Sequence, residues 1–227
     1  QRINRQTIAA VRNVEFLLHR VQSGVAQQFS FWFEAFDWID GESLSPPDFA
    51  HIRPEHPEVK VHVFDSKSAS SGQLLIAHLI EQYALAGMEF EEIVEKVEIF
   101  RDGIETTFVL ETLETLRKNG RLTGVKAMVA NALNIKPYMK ATGGTITQIG
   151  QARGIKKALD KMIDYVGEDG VNLTGKVVVI AHCNCLERAK CVEKKLLERY
   201  SFKASLIIDT KGISSMYAND GGVIVAF

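Results

Sequence analysis

The chain has 227 residues, 46% of them hydrophobic, and a formal net charge of -1. That is enough apolar material for one large domain or two small ones, and the near-neutral balance argues against a nucleic-acid binder that relies on a basic surface. No run of about 18 apolar residues occurs, so neither a membrane-spanning helix nor stable membrane insertion is expected.

Residues 1–28 carry Ile8, Val11, Val14, Leu17, Leu18 and Val21 at three- and four-residue spacing, which predicts a helix. Phe29, Phe31 and Phe33 alternate as in a strand. Asp40-Gly41 is a turn signal, and Ser45 followed by Pro46 reads as the start of a short helix. Residues 51–58, with Pro54 and Pro57, read as a loop.

Regular alternation begins at Val59. Val61, Val63 and Phe64 predict a strand, followed by a serine-rich stretch and a helix over 73–86 that Gly87 ends. A second helix is expected over 90–101 with Ile93, Val94, Val97 and Phe100 inside, then a short strand over 105–110. A helix over 112–118 stops at Gly120, which suits the left-handed backbone past a helix end. Arg121 then stands on a loop, and another helix is expected over 125–133. The strand over 135–140 contains Pro137, which predicts an edge or a bulge. Gly143-Gly144 reads as a hairpin turn into a strand over 145–149.

An amphipathic helix is expected over 155–166, with Leu159, Ile163 and Val166 inside. The run 177–181 reads as a strand buried on both faces. A helix over 187–200 and strands over 204–208 and 223–227 complete an α/β fold with some hairpin pairing.

Four constellations are candidates for chemistry. Ser66, Ser68, Ser70 and Ser71 lie between a strand end and a helix start, where backbone amides and hydroxyls favour an anion or simply cap the helix. His182, Cys183, Cys185 and Cys191 have the residue types of a zinc site, but their spacing fits no common finger. Loop thiols are the expected reading, with Cys191 inside its helix. Three crowded cysteines also make a disulfide framework unexpected, and together with the lack of a signal-peptide pattern they point to a reducing cytoplasm. Tyr217 to Gly222 offers a phenol beside two glycines, and Arg153, Lys156 and Lys157 form a basic helix start. Arg121 presents a permanently charged fork suited to a carboxylate or phosphate. The dinucleotide and P-loop signatures are missing, and no nucleophile–base pair is evident, so no catalytic residue and no metal ligand is assigned.

Taken in order, Asp65-Ser66-Lys67-Ser68-Ala69-Ser70, Leu113 to Leu122, Asn134-Ile135-Lys136-Pro137, Gly144-Thr145-Ile146-Thr147, Arg153-Gly154 and Tyr217 to Gly222 resemble the DegV family of bacterial fatty-acid-binding proteins. The resemblance covers about 59–227. It implies a two-lobed α/β fold with a mostly parallel N-terminal lobe and a mixed-sheet C-terminal lobe with flanking helices. The lobes are expected at 1–72 and 88–227, joined by a helix over 73–87. It further implies a carrier rather than an enzyme. A long-chain fatty acid would lie between the lobes, with no other cofactor, and its carboxyl group would be presented to an ATP-dependent fatty acid kinase for phospholipid synthesis. By this match the fatty-acid residues are Arg121, Ser68, Ser70, Tyr217, Asn219, Gly221 and Gly222, and Arg153 and Lys156 face the kinase.

Two departures from the family pattern stand out. Tyr217 occupies the position of a family histidine, and Asn219-Asp220-Gly221 replaces a Gly-Pro-Gly-like turn. The family's Thr-Ser-x-Pro-like turn and Ser-Gly-Thr-Tyr-like helix start do not occur here, so the N-terminal lobe is expected to be shortened, divergent or incomplete. Two alternatives follow. One is a regulatory or interaction protein that has lost lipid binding. The other is an enzyme on an acyl or phosphorylated small molecule, with Arg121 and the serines as an anion clamp.

Overall fold

In the computed structural model, which describes residues 7–11, 60–122 and 134–227, contacts divide the chain into two units. The first takes in the described parts of 1–66 and 76–101, and the second those of 67–75 and 102–227.

In the first unit, β1 (Thr7–Val11) and β2 (Lys60–Phe64) pair in parallel, with Ile8 opposite Val61 and Val11 opposite Phe64. Residues 7–11 are therefore a strand and not part of the expected N-terminal helix. Thr7, Ile8 and Val11 are β-branched, and pairing with a distant segment overrides a periodicity that is only local. The expected helix over 125–133 and the elements expected between residues 12 and 59 lie outside the described residues.

Helix α1 (Ser71–Leu85) starts in the second unit and continues into the first. Gly87, at φ +77°, follows its end as expected. Helix α2 (Phe90–Asp102) has Glu91 and Glu92 in its first turn and Arg101 in its last, each matched to the helix dipole. Ile93 and Val97, one turn apart, are buried, while Val94 and Phe100 are only half-buried.

The second unit is built on six strands. They are β3 (Thr106–Val109), β4 (Ile135–Thr142), β5 (Thr145–Arg153), β6 (Val177–His182), β7 (Ala204–Asp209) and β8 (Val223–Ala226), in the order β5-β4-β3-β8-β6-β7. Only β6 and β7 run parallel. The β4–β5 hairpin turns at Gly143 and Gly144, both at positive φ. Pro137 is in an interior strand, not at the sheet's edge. It pairs with Gln151 of β5 but lies beyond the residues of β4 that pair with β3, so its missing N–H breaks no ladder on that side. The bulge falls next to it, between Tyr138 and Met139.

Helices α4 (Ile155–Val166) and α5 (Leu186–Arg199) cover one face of this sheet. Ala158, Met162 and Ile163 of α4 and Leu196 of α5 are fully buried against Val178 and Ile180 of β6. Truncating any of the larger ones to alanine costs about 2–5 kcal/mol. The opposite face carries a second cluster that includes Phe108, Leu110, Met139 and Cys183. Two short helices, α3 (Glu114–Lys118) and α6 (Gly212–Ala218), contribute Leu116 and Ala218 to it. Helix α6 is not expected from sequence. It is seven residues long and includes glycine and two serines, so its stability comes from packing rather than propensity.

Candidate functional site

Helix α3 ends in a Schellman motif. Gly120 takes φ +67°, its amide donates to the Arg117 carbonyl at 3.1 Å, and the Arg121 amide donates to the Leu116 carbonyl at 2.8 Å. This pins the Arg121 backbone directly after the glycine. Arg121 is half-buried. Leu122 beside it packs on the same apolar cluster as Leu116, and so does Tyr217 of α6. Helices α3 and α6 are themselves in contact. Packing thus brings together the Arg121 loop and Tyr217, which are far apart in sequence.

The turn after Tyr217 is stitched in place from three sides. The Gly221 amide donates to the Cys183 carbonyl at 2.8 Å, and the Cys183 amide donates to the Gly222 carbonyl at 3.0 Å. Asn219, at φ +55°, donates from Nδ2 to the Tyr217 carbonyl at 3.0 Å. Arg188 of α5 donates from Nη1 to the Gly221 carbonyl. Arg188 also lies 3.0 Å from Glu111 Oε1, and Lys136 lies 2.7 Å from Glu111 Oε2. Burial pushes the Glu111 carboxyl up, but hydrogen bonds and charge from Lys136 and Arg188 outweigh it and hold the group below its ordinary range. Sequence reasoning assigned Glu111 and Arg188 no role. Lys136 lies in a motif it singled out, but nothing local pairs it with residue 111.

The serine cluster sits elsewhere on the sheet. Ser68 Oγ is 3.2 Å from Thr106 Oγ1, at the start of β3. A β-carbon on Gly72 would overlap Ser68 and stand 3.2 Å from Thr106 Oγ1, so only glycine allows this approach. Ser70 is buried at φ +53°. At the other end of β3, a β-carbon on Gly222 would stand 2.9 Å from the Leu110 side chain, and one on Gly221 3.1 Å from Glu111. Ser68 and Ser70 are therefore separated from the Tyr217–Gly222 turn by the length of β3, about 13 Å at the usual strand rise.

Arg153 ends β5 and is exposed, opposite Ile135 of β4. Lys156, in the first turn of α4, lines a groove of about 180 Å³ between α4 and α5. Leu159 and Val192 form part of its floor, while Lys156, Arg188 and Lys195 supply positive charge. Its one carboxylate, Asp160, is paired with Lys195. Arg188 belongs both to this groove and to the Glu111–Gly221 network.

His182 is buried, with Nδ1 3.2 Å from Asp209 Oδ1. Cys183 is buried, Cys185 half-buried and Cys191 exposed. Cys191 is thus exposed where burial was expected, and it lines the groove between α4 and α5. Burial pushes the Cys185 thiol up. Among the described residues no group of histidines, cysteines and carboxylates is arranged to hold a metal ion. None of the described helices is long and apolar enough to cross a membrane.

Residues 48–226 match a family model described as "Uncharacterised protein, DegV family". A DegV domain-containing protein of Streptococcus pyogenes is 32% identical over 174 residues, which are 76% of this chain and 61% of that protein. The chain therefore spans about three fifths of the length of the curated relatives it matches. A DegV family protein of Ruminococcus gnavus, solved with vaccenic acid, is 38% identical with a TM-score of 0.79, and the match covers 99% of this chain and 100% of that one. The fatty acid kinase B3 protein of Streptococcus pneumoniae, solved loaded with linoleic acid, is 30% identical with a TM-score of 0.69 over 78% of this chain and 63% of that one.

Proposed function

The chain belongs to the DegV family, and from that membership we propose that it binds a long-chain fatty acid and presents the carboxyl group to a partner kinase. The kinase would move a phosphoryl group from ATP to a carboxylate oxygen, giving acyl phosphate for phospholipid synthesis. ATP supply fits a cytoplasmic setting. The observation that supports the reading is that Tyr217 and Leu122, the residue after Arg121, pack on one apolar cluster, in a chain whose solved relatives hold fatty acids.

In this reading the hydrocarbon supplies affinity at about 0.8 kcal/mol per buried methylene, and a few polar groups orient the head. Arg121, Tyr217, Asn219, Gly221 and Gly222 form the carboxyl end. Ser68 and Ser70 stand further along the ligand. The N-terminal lobe (1–72) and the C-terminal lobe (88–227) would enclose the acid between them. Arg153 and Lys156 would meet acidic groups of the kinase, and the groove beside Lys156 adds an apolar contact.

The test is mass spectrometry of an organic extract of the natively purified protein. A stoichiometric long-chain acid is expected. An empty protein that also fails to take up oleate or palmitate sinks the reading and leaves an interaction protein in its place. For the partner, Arg153→Glu with Lys156→Glu should abolish kinase-dependent acyl phosphate formation while fatty-acid binding stays at the parent level. Loss of both together would count against a docking role.

A further inference from the structure

Ser70, just before α1, and Ser71, its first residue, carry hydroxyls without a hydrogen-bond partner among the described residues. Ser71 is fully buried and Ser70 is 4% exposed, and among the described residues no group engages either Oγ. The first turn of α1 carries no acidic residue to complement the positive end of a 15-residue helix. A buried hydroxyl without a partner costs free energy. Two of them at a helix N-terminus, beside amides that favour an accepting oxygen, make a seat for an oxygen atom. Thr107 Oγ1 is also unpartnered, but it lies on the other face of β3, on the side of Val109 and α4, and is not part of this seat.

The position of the seat says which oxygen it takes. Gly72 holds this turn against Thr106 at the start of β3, while the Gly221–Gly222 turn lies at the far end beside Leu110 and Glu111. Between them Phe108 and Met139, opposite one another on β3 and β4, join Ile224 in an apolar strip. An acyl chain whose carboxyl group lies at the Arg121–Tyr217 end and which follows this strip reaches the serines about 13 Å along, well into its hydrocarbon. We infer that the N-terminus of α1 is a second polar seat that takes a hydroxyl group on the hydrocarbon chain, so that the protein prefers hydroxylated long-chain acids. The inference rests on the fatty-acid reading above. The Ser71 hydroxyl donates to the ligand oxygen, and Ser70 completes the seat.

Ricinoleate, which carries a hydroxyl well along its chain, and oleate, which lacks it, test this on the whole chain by displacement of a fluorescent fatty acid. The parent protein should bind ricinoleate about fivefold more tightly than oleate, the effect of one or two buried hydrogen bonds. Ser71→Ala should bring the two acids to within about twofold by weakening ricinoleate alone. Because the hydroxyl it removes has no protein partner, an unliganded Tm at or above that of the parent shows that the variant is folded. Oleate binding with no preference for ricinoleate, or a preference that survives Ser71→Ala, overturns the seat and leaves the fatty-acid reading standing. Binding of neither acid by the parent overturns both.

Discussion

Lys136 Nζ lies 2.7 Å from Glu111 Oε2 and donates to the Glu111 backbone carbonyl at 2.7 Å, so one lysine holds residue 111 by side chain and main chain together. Arg188 takes the other carboxylate oxygen and reaches on to the Gly221 carbonyl. Glu111 thereby couples β4, α5 and the turn that follows Tyr217.

Glu111→Gln should lower stability by about 1 kcal/mol at neutral pH, a figure kept small because the pair is partly open to water. The sign with pH follows from the lowered carboxyl pKa. An unfolded glutamate titrates at about 4.3. The native group titrates lower, so its contribution is complete above that value and is lost as pH falls through the folded pKa. Urea midpoints of parent and variant should differ most at neutral pH and converge below about pH 4. A gap that widens on acidification would contradict this.

Arg121→Ala should weaken oleate binding about tenfold, the low end for a charged hydrogen bond, and leave methyl oleate nearly unchanged. Displacement of a fluorescent fatty acid by each compound measures both. Equal losses for acid and ester would show that Arg121 shapes the fold and does not read the carboxylate.

Gly72→Ala should destabilise the protein by about 1–3 kcal/mol, because the new methyl group overlaps Ser68 and crowds Thr106. Calorimetry should show a Tm drop of about 2–4 °C for each kcal/mol. An unchanged Tm would mean that the Ser68–Thr106 contact yields at no cost.

Iodoacetamide should separate the three thiols in the native protein. Exposed Cys191 should be modified first. Cys185 should lag at about pH 8, because burial raises its pKa and lowers its thiolate fraction. Buried Cys183 should react only on unfolding. Peptide mass spectrometry reads the order, and early loss of Cys183 would refute the burial.

Several features were legible in the chain because their causes are local. The apolar period over 155–166 determines which face of α4 is buried. Gly120 stops α3 because a left-handed backbone there costs glycine little, and that stop sets Arg121 on its loop. Gly143-Gly144 closes the β4–β5 hairpin for the same steric reason. Other features depended on residues distant in the chain. Thr7–Val11 became a strand through pairing with Lys60–Phe64, and Gly212–Ala218 became a helix through packing against α3. Pro137 was tolerated inside the sheet because β3 ends before reaching it. Above all, the sequence offered Ser70, Arg121 and Tyr217 as polar candidates, but only the tertiary structure put Tyr217 and Leu122, the residue after Arg121, on one apolar cluster and the serines at the other end of β3. Periodicity and turn chemistry act over a few residues, whereas a site is assembled by strand order and packing, which no local spacing records.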